Sequence, residues 1–257
     1  MRKRAHRSVV RGCMLVLAML GLTGCAAHSR TTAQVEAGGG SYQVSIDGIA
    51  DDSTSAGLFG VAFETVPRTK VGGGARVRGI ASSDDLEYTA NTQFGQVFVS
   101  DGEASQGDWF LHATYDNGDE RRRLPFRFGM GIHNFEVESA SLGGSQTWTS
   151  VGPQIEFAPR LPLSQSESAT FAFQGLLGLG YGLTSIEASD VSEQWDTTAV
   201  FFDFGVGLGA VFERAYFDVG YRYLSSQYDE SDPSGGFFVP QTDASFSGVV
   251  FTFGARF

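Results

Sequence analysis

From residue 41 onward, apolar residues recur at every second position over most of the chain. Over the last nine residues, Val249, Phe251, Phe253, Ala255 and Phe257 share one side, while Val250, Thr252, Gly254 and Arg256 share the other. A period of two marks a β-strand, because successive side chains point to opposite faces. The pattern predicts ten strands over residues 41–49, 57–66, 71–81, 108–116, 123–134, 147–158, 169–183, 199–213, 215–227 and 245–257. They run roughly nine to fifteen residues, the length needed to cross a bilayer at a tilt. Phe94, Gln96 and Phe98 also alternate and fit an extension of a neighbouring strand. Eight strands with an extra hairpin, or twelve, remain open.

The connections divide by charge. The long segments 50–56, 82–107, 139–146, 184–198 and 228–244 hold 15 Asp and Glu but no Lys or Arg. Basic residues sit in the strands and in the alternate short turns, at Arg68, Lys70, Arg121 to Arg123, Arg160 and Arg214. Short turns on one side and long loops on the other are the habit of up-and-down membrane barrels. Ten strands return both termini to the short-turn side, which in an outer membrane is the periplasm. The predicted fold is therefore all-β: a single antiparallel transmembrane up-and-down β-barrel over residues 41–257.

Composition agrees. The chain has 34 glycines and 22 phenylalanines against seven prolines, which suits a Gly/aromatic-rich barrel. It holds no apolar run of 18 residues, so the sequence offers no membrane-spanning helix. Residues 1–24 read as a secretory signal, with Arg2, Lys3, Arg4, Arg7 and Arg11 ahead of an apolar segment, Met14 to Leu22. Leu22-Thr23-Gly24-Cys25 resembles the lipobox of bacterial lipoproteins, which implies lipidation of Cys25; the alternative is ordinary cleavage after Ala26 or Ala27. Cys13 and Cys25 are the only cysteines, which leaves the exported part without a disulfide or thiol site. Residues 25–40 are expected to be a flexible linker. Removing the five signal-region bases from 18 leaves 13 against 29 acids, a balance of −16 that disfavours nucleic acid as a partner.

Alternation points a set of charged residues inward. Asp47, Glu64, Asp116, Glu156, Asp203 and Asp218 face Arg76, Arg78, Arg127, Arg222 and Arg256. Near-equal numbers predict mutual pairing, with guanidinium forks suited to carboxylates. Such a network ties the wall together, or else it lines a narrow polar pore or small cavity. Inward glycines at 178, 180, 182, 205, 207 and 209 either open a pocket or make room for Phe201 and the arginines. Carboxylates at Asp51 and Asp52, at Asp84, Asp85 and Glu87, and at Asp229, Glu230 and Asp232 are candidates for a divalent cation, without any spaced binding-loop signature. No cofactor is implied. His112 and His133 face inward on adjacent strands, and no His-x-Ser-Asn run accompanies them.

The closing strand, with Phe251, Phe253 and the terminal Phe257, resembles the last strand of bacterial outer-membrane barrels, whose terminal aromatic is read by the assembly machinery. Taken with the turn asymmetry, residues 41–257 resemble the small barrels of the opacity-protein and OmpA-transmembrane type, although ten strands exceed the usual eight. The resemblance implies an outer-membrane protein in contact with lipid and the barrel-assembly machinery. Its expected role is non-enzymatic, structural or surface-interacting, exercised through acidic loops toward an extracellular ligand or divalent cations. The alternatives are a small cation-preferring porin-like channel and an envelope lipid hydrolase.

Overall fold

The computed structural model describes residues 29–46, 50–67, 70–83, 86–92, 95–117, 123–139, 144–189, 194–232 and 239–257. The signal segment, Cys25, Asp47, Asp84 and Asp85 lie outside the described residues. Twelve strands form: β1 (Ser29–Ile46), β2 (Ala50–Pro67), β3 (Val71–Ser82), β4 (Leu86–Thr92), β5 (Gly95–Tyr115), β6 (Phe126–Ser139), β7 (Gly144–Phe157), β8 (Arg160–Gln165), β9 (Thr170–Ala188), β10 (Gln194–Val211), β11 (Ala215–Tyr228) and β12 (Thr242–Arg256).

Ten of them close an antiparallel barrel in chain order, sealed where β1 pairs with β12. Closure leaves none of these ten with an open edge, the condition a sheet must meet in lipid. The other two strands extend the wall. Strand β4 forms a hairpin with the first half of β5, and β8 carries the β7 side of the β9 ladder past Ala158 and Pro159. The first and last described residues lie at one rim, the terminal end, where the Phe257 N–H donates to Thr31 O at 2.9 Å.

The expected linker is corrected here. Residues 29–40 belong to β1, not to a flexible segment. Gly38 and Gly40 are the reason that stretch reads as featureless: an added Cβ would collide with the Val249 and Ser247 carbonyls of β12. The acidic connections are likewise shorter than expected, because β2, β5, β9 and β10 run into them.

These extra lengths show an inversion of polarity. Toward the terminal end the outer face is apolar, with Phe59, Leu111, Phe128, Ile155, Leu179, Val206, Val219 and Phe251 all exposed, while the inner face carries charge. Farther along the same strands the pattern reverses. Outward positions become Ser41 and Gln43 on β1, Asn134, Glu136 and Glu138 on β6, Thr147 and Thr149 on β7, and Ser245 and Ser247 on β12. Inward positions there become Tyr42, Phe135, Trp148, Ile186, Leu224 and Phe246, all buried. The lower belt is the surface a bilayer requires; the upper part has the polar skin and apolar core of a water-surrounded barrel. Tyr181, Tyr221 and Tyr223 face outward just below the change, where an aromatic girdle belongs.

The belt makes a prediction. Phe128→Arg, at a position 56% exposed in the belt, should cost ~2–4 kcal/mol and lower the heat-modifiable folded fraction on gel electrophoresis. Gln227→Arg, on the outer face beyond the belt, should cost about 0–1 kcal/mol. Equal losses at the two positions would contradict the assigned belt.

Candidate functional site

The lower lumen is filled by a continuous ion network. Arg123 holds Asp116 at 2.7 Å and Glu64 at 3.4 Å, and Glu64 accepts from Arg127 at 2.6 Å. Arg127 and Arg76 both bond Glu156, one to each oxygen. Arg76 lies 4.0 Å from Asp108 and 3.8 Å from Asp203. Arg78 donates to Asp108 at 2.9 Å and to Asp203 at 3.1 Å. Arg222 closes the chain with a two-pronged grip on Asp203, at 2.6 and 2.8 Å, and lies 3.7 Å from Glu36. A separate pair joins Arg160 to Asp218 at 2.7 Å, with the Arg160 guanidinium 4.4 Å from the centre of the Tyr216 ring.

The structure thus brings together Glu64, Arg76, Arg78, Arg127, Glu156, Asp203, Asp218 and Arg222. It adds Glu36, Asp108, Arg123 and Arg160, which sequence reasoning missed. Glu36 lay in the supposed linker, Arg123 and Arg160 at strand ends. Asp108 shares the even-numbered parity of His112 and Asp116, which is the signal that finds it. Arg256 points toward Tyr216, 5.9 Å from its ring centre.

The inward glycines make room for side chains. A Cβ at Gly182 would stand 3.2 Å from the Phe201 ring, and one at Gly205 3.2 Å from Arg222 Cδ. A cavity of about 140 Å³ lies at the terminal end of the lumen beside Arg123, Arg127, Arg160, Arg222 and Gln174.

Above the network aromatic side chains pack across the lumen. His133 stacks on Phe201 with ring centres 3.7 Å apart. Trp148 then packs 4.9 Å from Phe135 and 6.1 Å from Tyr228, and Tyr42 and Phe246 are fully buried beside them in one apolar cluster. Gln106 bridges the two layers, accepting from Tyr42 at 3.4 Å and donating to Ser226 at 2.8 Å. The other histidine, His112, stacks on Phe110 and lies 3.6 Å from Glu64.

Among the described residues, no three of His, Cys, Asp and Glu come together for a metal ion. Glu87 is exposed in the β4 hairpin, and its N–H donates to Asp52 at 2.7 Å. Asp229 bonds Thr198, and Glu230 and Asp232 are exposed around a buried Ser231.

No family model matches the chain, and no curated protein matches it. Solved structures resemble it to differing degrees. The outer membrane protease OmpT from Escherichia coli is 10% identical, with a TM-score of 0.54 over 91% of this chain and 98% of that one. The translocator domain of autotransporter NalP from Neisseria meningitidis is 12% identical, with a TM-score of 0.42 over 98% of this chain and 97% of that one. At 10% identity the likeness to the protease is one of fold alone, a closed antiparallel barrel.

Proposed function

We propose that this chain is a non-conducting, non-enzymatic barrel of the bacterial outer membrane, whose polar-skinned upper half meets the surroundings as a surface-interaction platform in the manner of the opacity-type barrels. The observation that carries the reading is the filled lumen. An ion-paired lower layer under an aromatic upper layer leaves no continuous aqueous path, whereas a porin keeps one. The surface presented by the upper half is Ser/Thr-rich and acidic, with Glu103, Glu138, Glu187 and Asp196 exposed. A periplasmic position for the termini is supported by the belt, which begins at the rim of Ser29 and Phe257, and by the strands, which project beyond it at the other rim. Phe251, Phe253 and Phe257, respectively 51%, 57% and 78% exposed on β12 or just past it, suit a segment read by the assembly machinery before β12 pairs with β1. Lipidation of Cys25 rests on the Leu22–Cys25 motif.

Purified protein reconstituted in planar bilayers should show no discrete conductance steps in potassium chloride. Reproducible cation-selective steps would replace this reading with the small-channel one.

A further inference from the structure

We propose that the cavity at the terminal end of the lumen binds a small oxyanion of the phosphate type, free phosphate or a phosphomonoester. Its lining groups are nearly balanced in number, yet unequal in what they present. The side chains of Arg123, Arg127, Arg160 and Arg222 keep 17, 20, 15 and 14% of their surface open, whereas Glu36, Glu64, Glu156 and Asp218 keep 4, 8, 1 and 9%. The carboxylates hold the guanidinium groups in place, and the arginine side chains present more open surface at this end of the lumen than the carboxylates do.

Arg76 also lines the cavity; its Nε and Nη2 make no hydrogen bond and lie 4.0 Å from Asp108 and 3.8 Å from Asp203, deeper in the network. Two acceptors are also without a hydrogen-bond partner, Glu36 Oε1 and Asp218 Oδ1. Both lie against glycines of the wall, Glu36 Oε1 over Gly60 and Asp218 Oδ1 over Gly209. Donor edges of several arginines converging on one space suit an acceptor-rich anion, since a guanidinium offers five N–H groups in a fixed fork.

Size limits the ligand. A volume of about 140 Å³ has room for several waters, and so for a phosphate group with a short substituent. The cavity lies at the opposite end of the lumen from the aromatic layer, so a ligand entering from the terminal rim gains no route across.

The test is calorimetric titration of the full folded protein in phosphate-free detergent with inorganic phosphate, glycerol phosphate and, as a cation, choline. Saturable binding of phosphate is expected, and Arg160→Gln and Arg123→Gln should each weaken it about tenfold or more, the loss of one hydrogen bond to a charged group. Arg214→Gln, an exposed arginine in the turn at the same rim, should leave it unchanged. Glycerol phosphate competing for the site assigns it to phosphomonoesters as well; failure to compete assigns it to the free anion. If Arg160→Gln does not fold, Arg160→Lys keeps the charge beside Asp218 while losing the fork, and should still bind several-fold more weakly. No saturable phosphate binding, equal loss at Arg160 and Arg214, or capture of choline instead would each overturn the proposal.

Discussion

Glu156→Ala should lower the stability of the barrel by ~3–5 kcal/mol, the usual loss when one member of a buried ion network is removed. Glu156 is 1% exposed and bonds Arg76 through one oxygen and Arg127 through the other. Without it, Arg76 keeps only the more distant Asp108 and Asp203, already shared with Arg78 and Arg222. Arg127 keeps Glu64, which also serves Arg123. Two guanidinium groups thus stay buried with less counter-charge, and that desolvated excess, more than the lost bonds, sets the size of the effect. Glu156→Gln should recover part of the loss, because its carbonyl oxygen still accepts one bond. Asp196→Asn, on an exposed acid of the upper half, should stay within about 0.5 kcal/mol. Urea titration of the refolded protein in detergent, followed by the heat-modifiable band, measures all three. A Glu156→Ala loss under about 1 kcal/mol would show that the network is loosely hydrated and not a packed layer.

The wall of the barrel was legible in the sequence because each lower strand carries an unbroken period of two. What was not legible follows from a single physical feature. On β6 the apolar parity is even at Phe128, Met130 and Ile132, then odd at Phe135 and Val137. On β12 it is even at Ala244 and Phe246, then odd from Val249 to Phe253. On β7 it is even at Trp148 and odd at Val151 and Ile155. A reading that grants each strand one apolar face ends β6 at the flip, at residue 134, and leaves Phe135 and Val137 outside it, although the expected strands 147–158 and 245–257 already reached Trp148 and Phe246. The register across the flip is continuous, as the unbroken β6–β7 pairing shows from Phe126 to Ser139. The side chains have not changed face; the medium outside has changed. Strand β1 was cut short for a different reason. Between Ala33 and Gly40 its only sizeable apolar side chain is Val35, since the sheet closes tightly there against β12, and small residues carry little hydropathy signal. Glu36 was lost with it, and with Glu36 one support of Arg222. Many of the lumen charges follow parity, because a charge facing lipid costs so much that facing inward is enforced; Asp108 shares that parity and was passed over, while Arg123 and Arg160 lie at strand ends, where parity is weakest.

The parity flip also says where the upper lumen draws its stability, and Trp148 is the place to measure it. Trp148→Ala should cost ~3–5 kcal/mol, the range for removing a large aromatic from a packed core. The indole is 1% exposed and contacts Phe135 and Tyr228, whose own ring centres are 5.8 Å apart, so its removal leaves a void that those two rings cannot both fill. Trp148→Phe should lose much less. The indole N–H has no hydrogen-bond partner in its pocket, and replacing it by a smaller ring removes an unsatisfied donor along with the lost packing. Trp109 offers the comparison within the same molecule, because it lies on the outer face of β5 and is only half-buried. Trp109→Ala gives up surface to lipid or detergent, which refills the space, and should cost clearly less than Trp148→Ala. Parallel urea titrations of the three variants decide the matter. Equal losses at 148 and 109 would mean that the upper lumen is not a dry packed core. The filled-lumen argument against conduction would then fall with it.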